Sequence, residues 1–206
     1  VMPQAASLPV HVSANGNIAA WQEASIGTEV GGLRLAAVGV NVGDVVKRGQ
    51  LLASFAPESV QADLEEARAK LAEAEANLAE AVADARRSRE LRVAGFISEQ
   101  KVTQSDTLEN AARARLEAQR AILRTQQLRL EQTRVLASDN GVISSRSATV
   151  GAVPAAGQEL FRLIRQARLE WRAEVAEAEL SRLKPGLNAR ITLSDGAVVK
   201  GRLRML

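Results

Sequence analysis

The chain has 206 residues, with 27 Lys and Arg against 24 Asp and Glu, a net charge of +3 and no cysteine. Disulfides, thiolate catalysis and cysteine-held zinc are therefore excluded, and a single His (His11) with two Met offers no metal cluster of ordinary type. Apolar residues make up 46% but aromatic ones only 2%, Tyr is absent, and the basic residues are interleaved with acidic ones, all of which speaks against a nucleic-acid surface.

Neither a bilayer-spanning apolar run of roughly 20 residues nor a signal peptide within Val1–Ala20 is present. If the protein is exported, its signal and any membrane anchor are expected upstream. The first segment, from Leu8 to Phe55, is rich in Val and Gly and predicts short strands joined by turns. Val40 to Val46 carries β-branched residues around a Gly43-Asp44 turn, and Lys47-Arg48-Gly49-Gln50 makes a second turn before Leu51 and Leu52.

Composition changes after Pro57. From Glu58 to Ala94 there is neither Gly nor Pro, and Ala, Glu, Arg and Leu, all strong helix formers, dominate. Leu64, Leu71 and Leu78 recur at seven-residue spacing, interleaved with a second series of Val60, Ala67, Ala74 and Ala81. Such a heptad seam, with Leu facing Ala, predicts a coiled coil. Gly95-Phe96-Ile97-Ser98 breaks the pattern, which resumes from Glu99 to Val135 with Leu116, Leu123 and Leu130. Each arm should be about 50 Å long at a rise of roughly 1.5 Å per residue. So short a break predicts antiparallel neighbours, that is, a long helical hairpin. Arg86, Arg87, Arg89 and Arg92 near the end of the first helix, and Glu99 and Asp106 near the start of the second, suit the helix macrodipoles.

β character returns after Val135, with a turn at Asp139-Asn140-Gly141 and an apolar stretch ending Leu160 to Ile164. The segments flanking the hairpin repeat one another. Val42-Gly43, Gly49-Gln50 and Leu52 match Val150-Gly151, Gly157-Gln158 and Leu160 at a constant offset of 108 positions. Upstream, Gly32-Leu33 corresponds to Gly141-Val142 if one half is a residue longer. Gly43, Gly49, Gly151 and Gly157 are read as structural turn residues, since paired turns call for positive φ or close backbone approach.

Two such half-motifs resemble the halves of a lipoyl or biotinyl domain. Their separation by a helical hairpin resembles the periplasmic adaptor proteins, also called membrane fusion proteins. The run from Leu169 to Val175, then Glu177 to Leu180 and Leu183-Lys184-Pro185-Gly186, looks like entry into that family's β-barrel, with Leu8–Ala14 as an earlier barrel strand. The resemblance implies an α+β fold: a lipoyl-like β-sandwich split by an inserted antiparallel coiled-coil hairpin, plus part of a β-barrel. The expected division is 1–20 for the first barrel strand or strands, 21–56 for lipoyl half one and 57–135 for the hairpin, whose tip lies near 95–98. Residues 136–165 form lipoyl half two, and 166–206 form the incomplete remainder of the barrel.

Arg87, Leu91 and Ser98 fit R-x-x-x-L-x-x-x-x-x-x-S, which resembles the motif by which adaptors engage an outer-membrane channel. Plainer roles stand beside this one. Gly95 suits the residue after a helix end, Ser98 suits an N-cap, Ile97 with Val102 a hydrophobic staple, and Arg87 a helix C-terminus. The resemblance implies a non-enzymatic adaptor with no cofactor, no metal site and no catalytic residue. Its expected partners are an inner-membrane efflux transporter, a TolC-type outer-membrane channel and further copies of itself in a ring, with no nucleic acid. It would sit in the periplasm of a Gram-negative bacterium, held to the inner membrane by an anchor outside this sequence. The tip motif points to pumps of the resistance-nodulation-division type that export drugs or toxic compounds. Adaptors of ABC or major-facilitator exporters are the alternative. A biotin or lipoyl carrier is a third reading, opposed by the hairpin that stands where a carrier lysine would lie.

Overall fold

The structure is a computed structural model that describes residues 11–193 and 196–205. It divides into two units, one of Gln22–Arg168 and one of the residues up to Trp21 together with those from Leu169 onward. In the second of these, β1 (Asn15–Ala20) lies beside a strand from the far end of the chain and is described with it below.

The Gln22–Arg168 unit is a β-sandwich carrying a helical hairpin. Before the helices come β2 (Glu23–Gly27), β3 (Leu35–Val38), β4 (Val45–Val46) and β5 (Leu51–Phe55). The helices are α1 (Glu58–Val93) and α2 (Glu99–Gln132), followed by β6 (Arg134–Leu136), β7 (Gly141–Arg146) and β8 (Glu159–Arg165). One sheet has the order β2-β8-β7-β4 and the other β3-β5-β6, so strands from both ends of the hairpin mix in each sheet. Leu35, Val46, Leu52 and Phe55 from the first half pack with Ile143, Phe161 and Leu163 from the second in a single core. The expected split sandwich is therefore present, with its two halves folded as one body.

The hydrogen bonds explain which residues repeat. Gly43 N–H donates to the Ile143 carbonyl at 2.9 Å, and Gly151 N–H to that of Leu35 at 2.9 Å, each half bonding the other at the 108-position offset. Gly49 N–H reaches Ala137 O at 2.8 Å, while Gly157 N–H reaches Thr28 O at 2.8 Å. The shared glutamines close the turns: Gln50 Oε1 accepts from Lys47 N–H at 3.0 Å and Gln158 Oε1 from Ala155 N–H at 3.2 Å. Gly43 and Gly151 have φ of 94° and 90°, a left-handed conformation that disfavours any Cβ. Gly32 and Gly141 do different work. Gly32 is left-handed with open space around it, whereas a Cβ on Gly141 would lie 2.1 Å from the Ile164 carbonyl oxygen.

The hairpin grows out of β5 and β6, which pair through Ala53–Val135 and Ser54–Arg134. Phe55 N–H donates to Thr133 O at 2.8 Å, and Gln132 Nε2 donates to Glu29 Oε2 at 2.7 Å, tying its base to the sandwich. Helix α2 stops at Gln132 rather than continuing to Val135. No Gly or Pro ends it; Arg134–Leu136 are taken up as a strand by the edge of β5, burying Val135.

In the other unit β1 pairs antiparallel with β9 (Leu169–Glu174), from Asn15↔Glu174 to Ala20↔Leu169. A single helical turn α3 (Glu177–Leu180) precedes β10 (Asn188–Thr192) and β11 (Val198–Arg202), which form their own antiparallel pair. The early strand thus begins at Asn15, later than the expected Leu8–Ala14. His11–Ala14 carry no strand, and Leu8–Val10 lie outside the described residues. The Arg204 guanidinium lies 5.9 Å from the Trp21 ring centroid and also donates to Glu170 at 3.1 Å.

Candidate functional site

The far end of the hairpin is built by two caps that meet in a four-residue turn. Gly95, left-handed with φ 81°, donates to Arg92 O at 3.0 Å, and Phe96 N–H donates to Leu91 O at 3.0 Å. This pair of bonds is a Schellman motif, with Leu91 and Phe96 at the two positions whose apolar side chains the motif brings together. Ser98 has extended φ and ψ of −79° and 158°, and its hydroxyl accepts from Lys101 N–H at 3.4 Å, so it caps α2. Ile97 and Val102 are both half-buried, as a hydrophobic staple requires.

Arg87 and Leu91 lie four residues apart and therefore on one face of α1. Arg87 is exposed and donates to Asp84 Oδ1 at 3.0 Å. It also lines an open groove of about 420 Å³ with Ala79, Val82, Ala83, Arg86 and Glu90. Leu91 and Ser98 are exposed. Two apolar residues beside them are more exposed still, Val93 at 90% and Phe96 at 78%. Sequence reasoning passed over both, although an apolar residue at the end of a polar helix and another inside the turn that follows were a readable signal.

Of the charged residues expected as macrodipole partners near the break, Arg92 and Glu99 occupy terminal turns, and they pair with each other at 3.2 Å. The other arginines have carboxylate partners along the helices. Arg86 donates to Glu90 at 3.0 Å. Arg89 crosses to α2, donating to Asp106 Oδ1 through Nε at 3.0 Å and Nη2 at 2.7 Å, and to Glu109 Oε2 through Nη2 at 2.7 Å. Glu109 Oε1 accepts from Arg113 at 2.7 Å, and just above it Ser88 and Ser105 share a hydrogen bond of 2.9 Å. Glu109 is only 8% exposed. The Arg89 hydrogen bond, with that of Arg113, outweighs burial and holds its carboxyl below the usual value of 4.5, while Glu109 and Asp106 raise Arg89.

Among the described residues no helix is long and apolar enough to cross a membrane, and no group of three or more His, Asp or Glu is placed to hold a metal ion. The site thus consists of an exposed tip with mixed polar and apolar character, set on a paired helical arm.

No protein-family model matches the chain. It is 29% identical over 203 residues to the macrolide export protein MacA of Yersinia pestis, covering 90% of this chain and 54% of that protein. It is 30% identical over 219 residues to the membrane fusion protein MtrC of Neisseria gonorrhoeae, covering 98% of this chain and 52% of that one. The chain spans about half the length of these curated relatives. Among solved structures, a membrane fusion protein of Streptococcus pneumoniae R6 superposes with a TM-score of 0.74 at 22% identity, covering 95% of this chain and 82% of that one. With a lipoyl-like sandwich split by a coiled-coil hairpin, the chain shares the fold of the membrane fusion proteins and is similar in sequence to curated proteins of that kind over nearly its whole length.

Proposed function

We propose that the protein is a periplasmic adaptor that links an inner-membrane efflux transporter to a TolC-type outer-membrane channel for the export of drugs or toxic compounds. It acts by geometry and contact rather than by catalysis. The observation that carries this reading is the exposed tip, where Arg87, Leu91 and Ser98 stand beside Phe96 and Val93 at the end of the hairpin. A guanidinium can donate in bidentate fashion to a carboxylate or to backbone carbonyls, and exposed apolar groups supply contact area that burial against a channel would stabilise. Exposed Val82, Ile122 and Leu128 along the arms suit side-by-side packing of several copies in a ring. The tip motif favours a resistance-nodulation-division transporter. The macrolide export named for the Yersinia relative favours the alternative of an ABC or major-facilitator exporter. The protein would lie in the periplasm of a Gram-negative bacterium, attached to the inner membrane.

The test is in cells, by crosslinking to the channel and by drug export. Arg87→Ala and Leu91→Ala should lose both while changing stability by no more than about 0.5 kcal/mol, as expected for exposed positions. Ser98→Asp separates capping from contact, because Asp is also a good N-cap but places a charge on the docking surface. It should keep the thermal midpoint and lose crosslinking and export. Full export by all three variants would rule out docking through this motif.

A further inference from the structure

The hairpin seam changes character along its length. The Ser88···Ser105 hydrogen bond fixes which residues lie level across the two helices, and steps of three and four then pair the rest. Towards the base, Leu78 comes level with Leu116, Leu71 with Leu123 and Leu64 with Leu130, all buried or half-buried. Towards the tip, the same stepping gives Ala81 with Ala112, Ala85 with Glu109, and Ser88 with Ser105. The leucine row of α2, extended by one heptad, lands on a glutamate.

Apolar packing therefore does little to hold the last third of the arm. Polar links hold it instead: Ser88 to Ser105, Arg92 to Glu99 and, with the most bonds, Arg89, whose planar fork grips Asp106 and Glu109 on successive turns of α2. Ala85, with 0% exposure, is small enough to leave Glu109 room inside the seam, and Arg113 binds the second carboxylate oxygen. A carboxylate enclosed in this way contributes little net stability over an apolar side chain of similar size, because its desolvation offsets the attraction. It does demand one axial position of α2 against α1. Arg87 and Leu91 lie two residues on either side of Arg89, while Ser98 belongs to α2.

We propose that the Arg89–Asp106–Glu109 clamp is a positioning device that sets the axial offset between Arg87 and Leu91 on one helix and Ser98 on the other. Its functional half rests on the docking reading given above. The clamp does not contact the channel; it acts through the tip residues that do.

Spin labels at Val93 and Leu108 in the full chain read the tip, and labels at Ala69 and Arg124, both exposed, read the lower hairpin. The unsubstituted chain should give one narrow distance distribution at each pair. Glu109→Leu continues the leucine row opposite Ala85, so its melting temperature should hold or rise. Its tip distribution should nevertheless widen at least twofold, while the 69–124 pair stays narrow. Glu109→Gln, which removes the charge and keeps the shape, should widen the tip distribution in the same way. If Glu109→Leu destabilises the hairpin, Glu109→Gln measured below its own midpoint decides the matter. Narrow tip distributions in these variants would overturn the clamp.

Channel crosslinking separates the two readings. A widened tip with undiminished crosslinking would overturn the positioning role and leave docking intact. Undiminished crosslinking in the Arg87→Ala, Leu91→Ala and Ser98→Asp variants would remove docking and leave the distance result standing.

Discussion

Two glutamines in the seam make the hairpin less stable than its leucine pattern suggests. Gln119 and Gln126 occupy the second heptad row of α2, level with Ala74 and Ala67, and their Oε1 atoms are buried without a hydrogen-bond partner among the described residues. Leaving a buried carbonyl unsatisfied costs about 1–3 kcal/mol. Leu is close to Gln in size and faces Ala at both positions, so Gln119→Leu and Gln126→Leu remove the unsatisfied oxygens without wedging the helices apart. Each should stabilise the hairpin by about 1–2 kcal/mol, since the gain is the lost penalty at a half-buried site. The sites are seven residues and about 10 Å apart, so their effects should add to roughly 2–4 kcal/mol. In a chain of this size about 3 kcal/mol corresponds to a rise of roughly 6–12 °C in thermal midpoint. Circular dichroism at the helical band reads this directly, because the two helices of 36 and 34 residues dominate the signal. Gln127→Leu is the control: it sits on the exposed face and should change stability by no more than about 0.5 kcal/mol. A double variant no more stable than the parent would show that both oxygens are satisfied, and the reasoning would fail.

Gly141→Ala should destabilise the sandwich by about 3 kcal/mol, the upper end of the cost of overpacking, because the new Cβ would meet the Ile164 carbonyl. Gly32→Ala meets no atom and should cost only the left-handed backbone penalty of about 1–2 kcal/mol, so urea melts of the two variants should rank in that order. The pH response follows from Glu109. Arg89 and Arg113 depress its carboxyl while Asp106 lies across the same guanidinium, so its contribution is complete above the unfolded value of 4.5 and disappears as pH falls through the lower folded value. The tip spin-label distribution should therefore widen on acidification below about pH 4.5, and Glu109→Gln should be wide at every pH. A parent distribution that stayed narrow to acid pH would refute the assignment.

The regular parts of this fold were legible because their periodicity is carried by apolar residues. Leu64, Leu71 and Leu78 against Ala67 and Ala74 gave α1 and its buried face, and the loss of Gly and Pro after Pro57 gave its length. The paired Gly and Gln residues gave the repeat, since turns that bond across halves need the same conformations twice. What escaped was carried by polar residues or by tertiary competition. The second row of α2 reads Ser105, Ala112, Gln119 and Gln126, which a search for hydrophobic heptads does not see. Glu109 was hidden in the leucine row, and Arg89 among four arginines assigned together to the helix end. The end of α2 could not be placed because Thr133, Arg134 and Val135 are compatible with helix, and only the edge of β5 decides otherwise. β1 was misplaced because Asn15-Gly16-Asn17 has the composition of a turn, and it pairs only when β9 supplies the other side.

The polar residues missed in the hairpin bear on how the arm works. A lever of about 50 Å needs its two helices held at both ends, because one residue of slip moves the tip by about 1.5 Å. At the base the hold is the β5–β6 ladder, reinforced by Phe55 to Thr133 and by Gln132 to Glu29. In the middle, leucine layers bind the helices strongly but tolerate adjustment, since apolar contact has no preferred direction. Towards the tip, directional bonds from Arg89 stand where the leucines do lower down. Glu109 interrupts the leucine row at the level where the proposed clamp would fix the offset, and there an apolar pattern search loses the helix face.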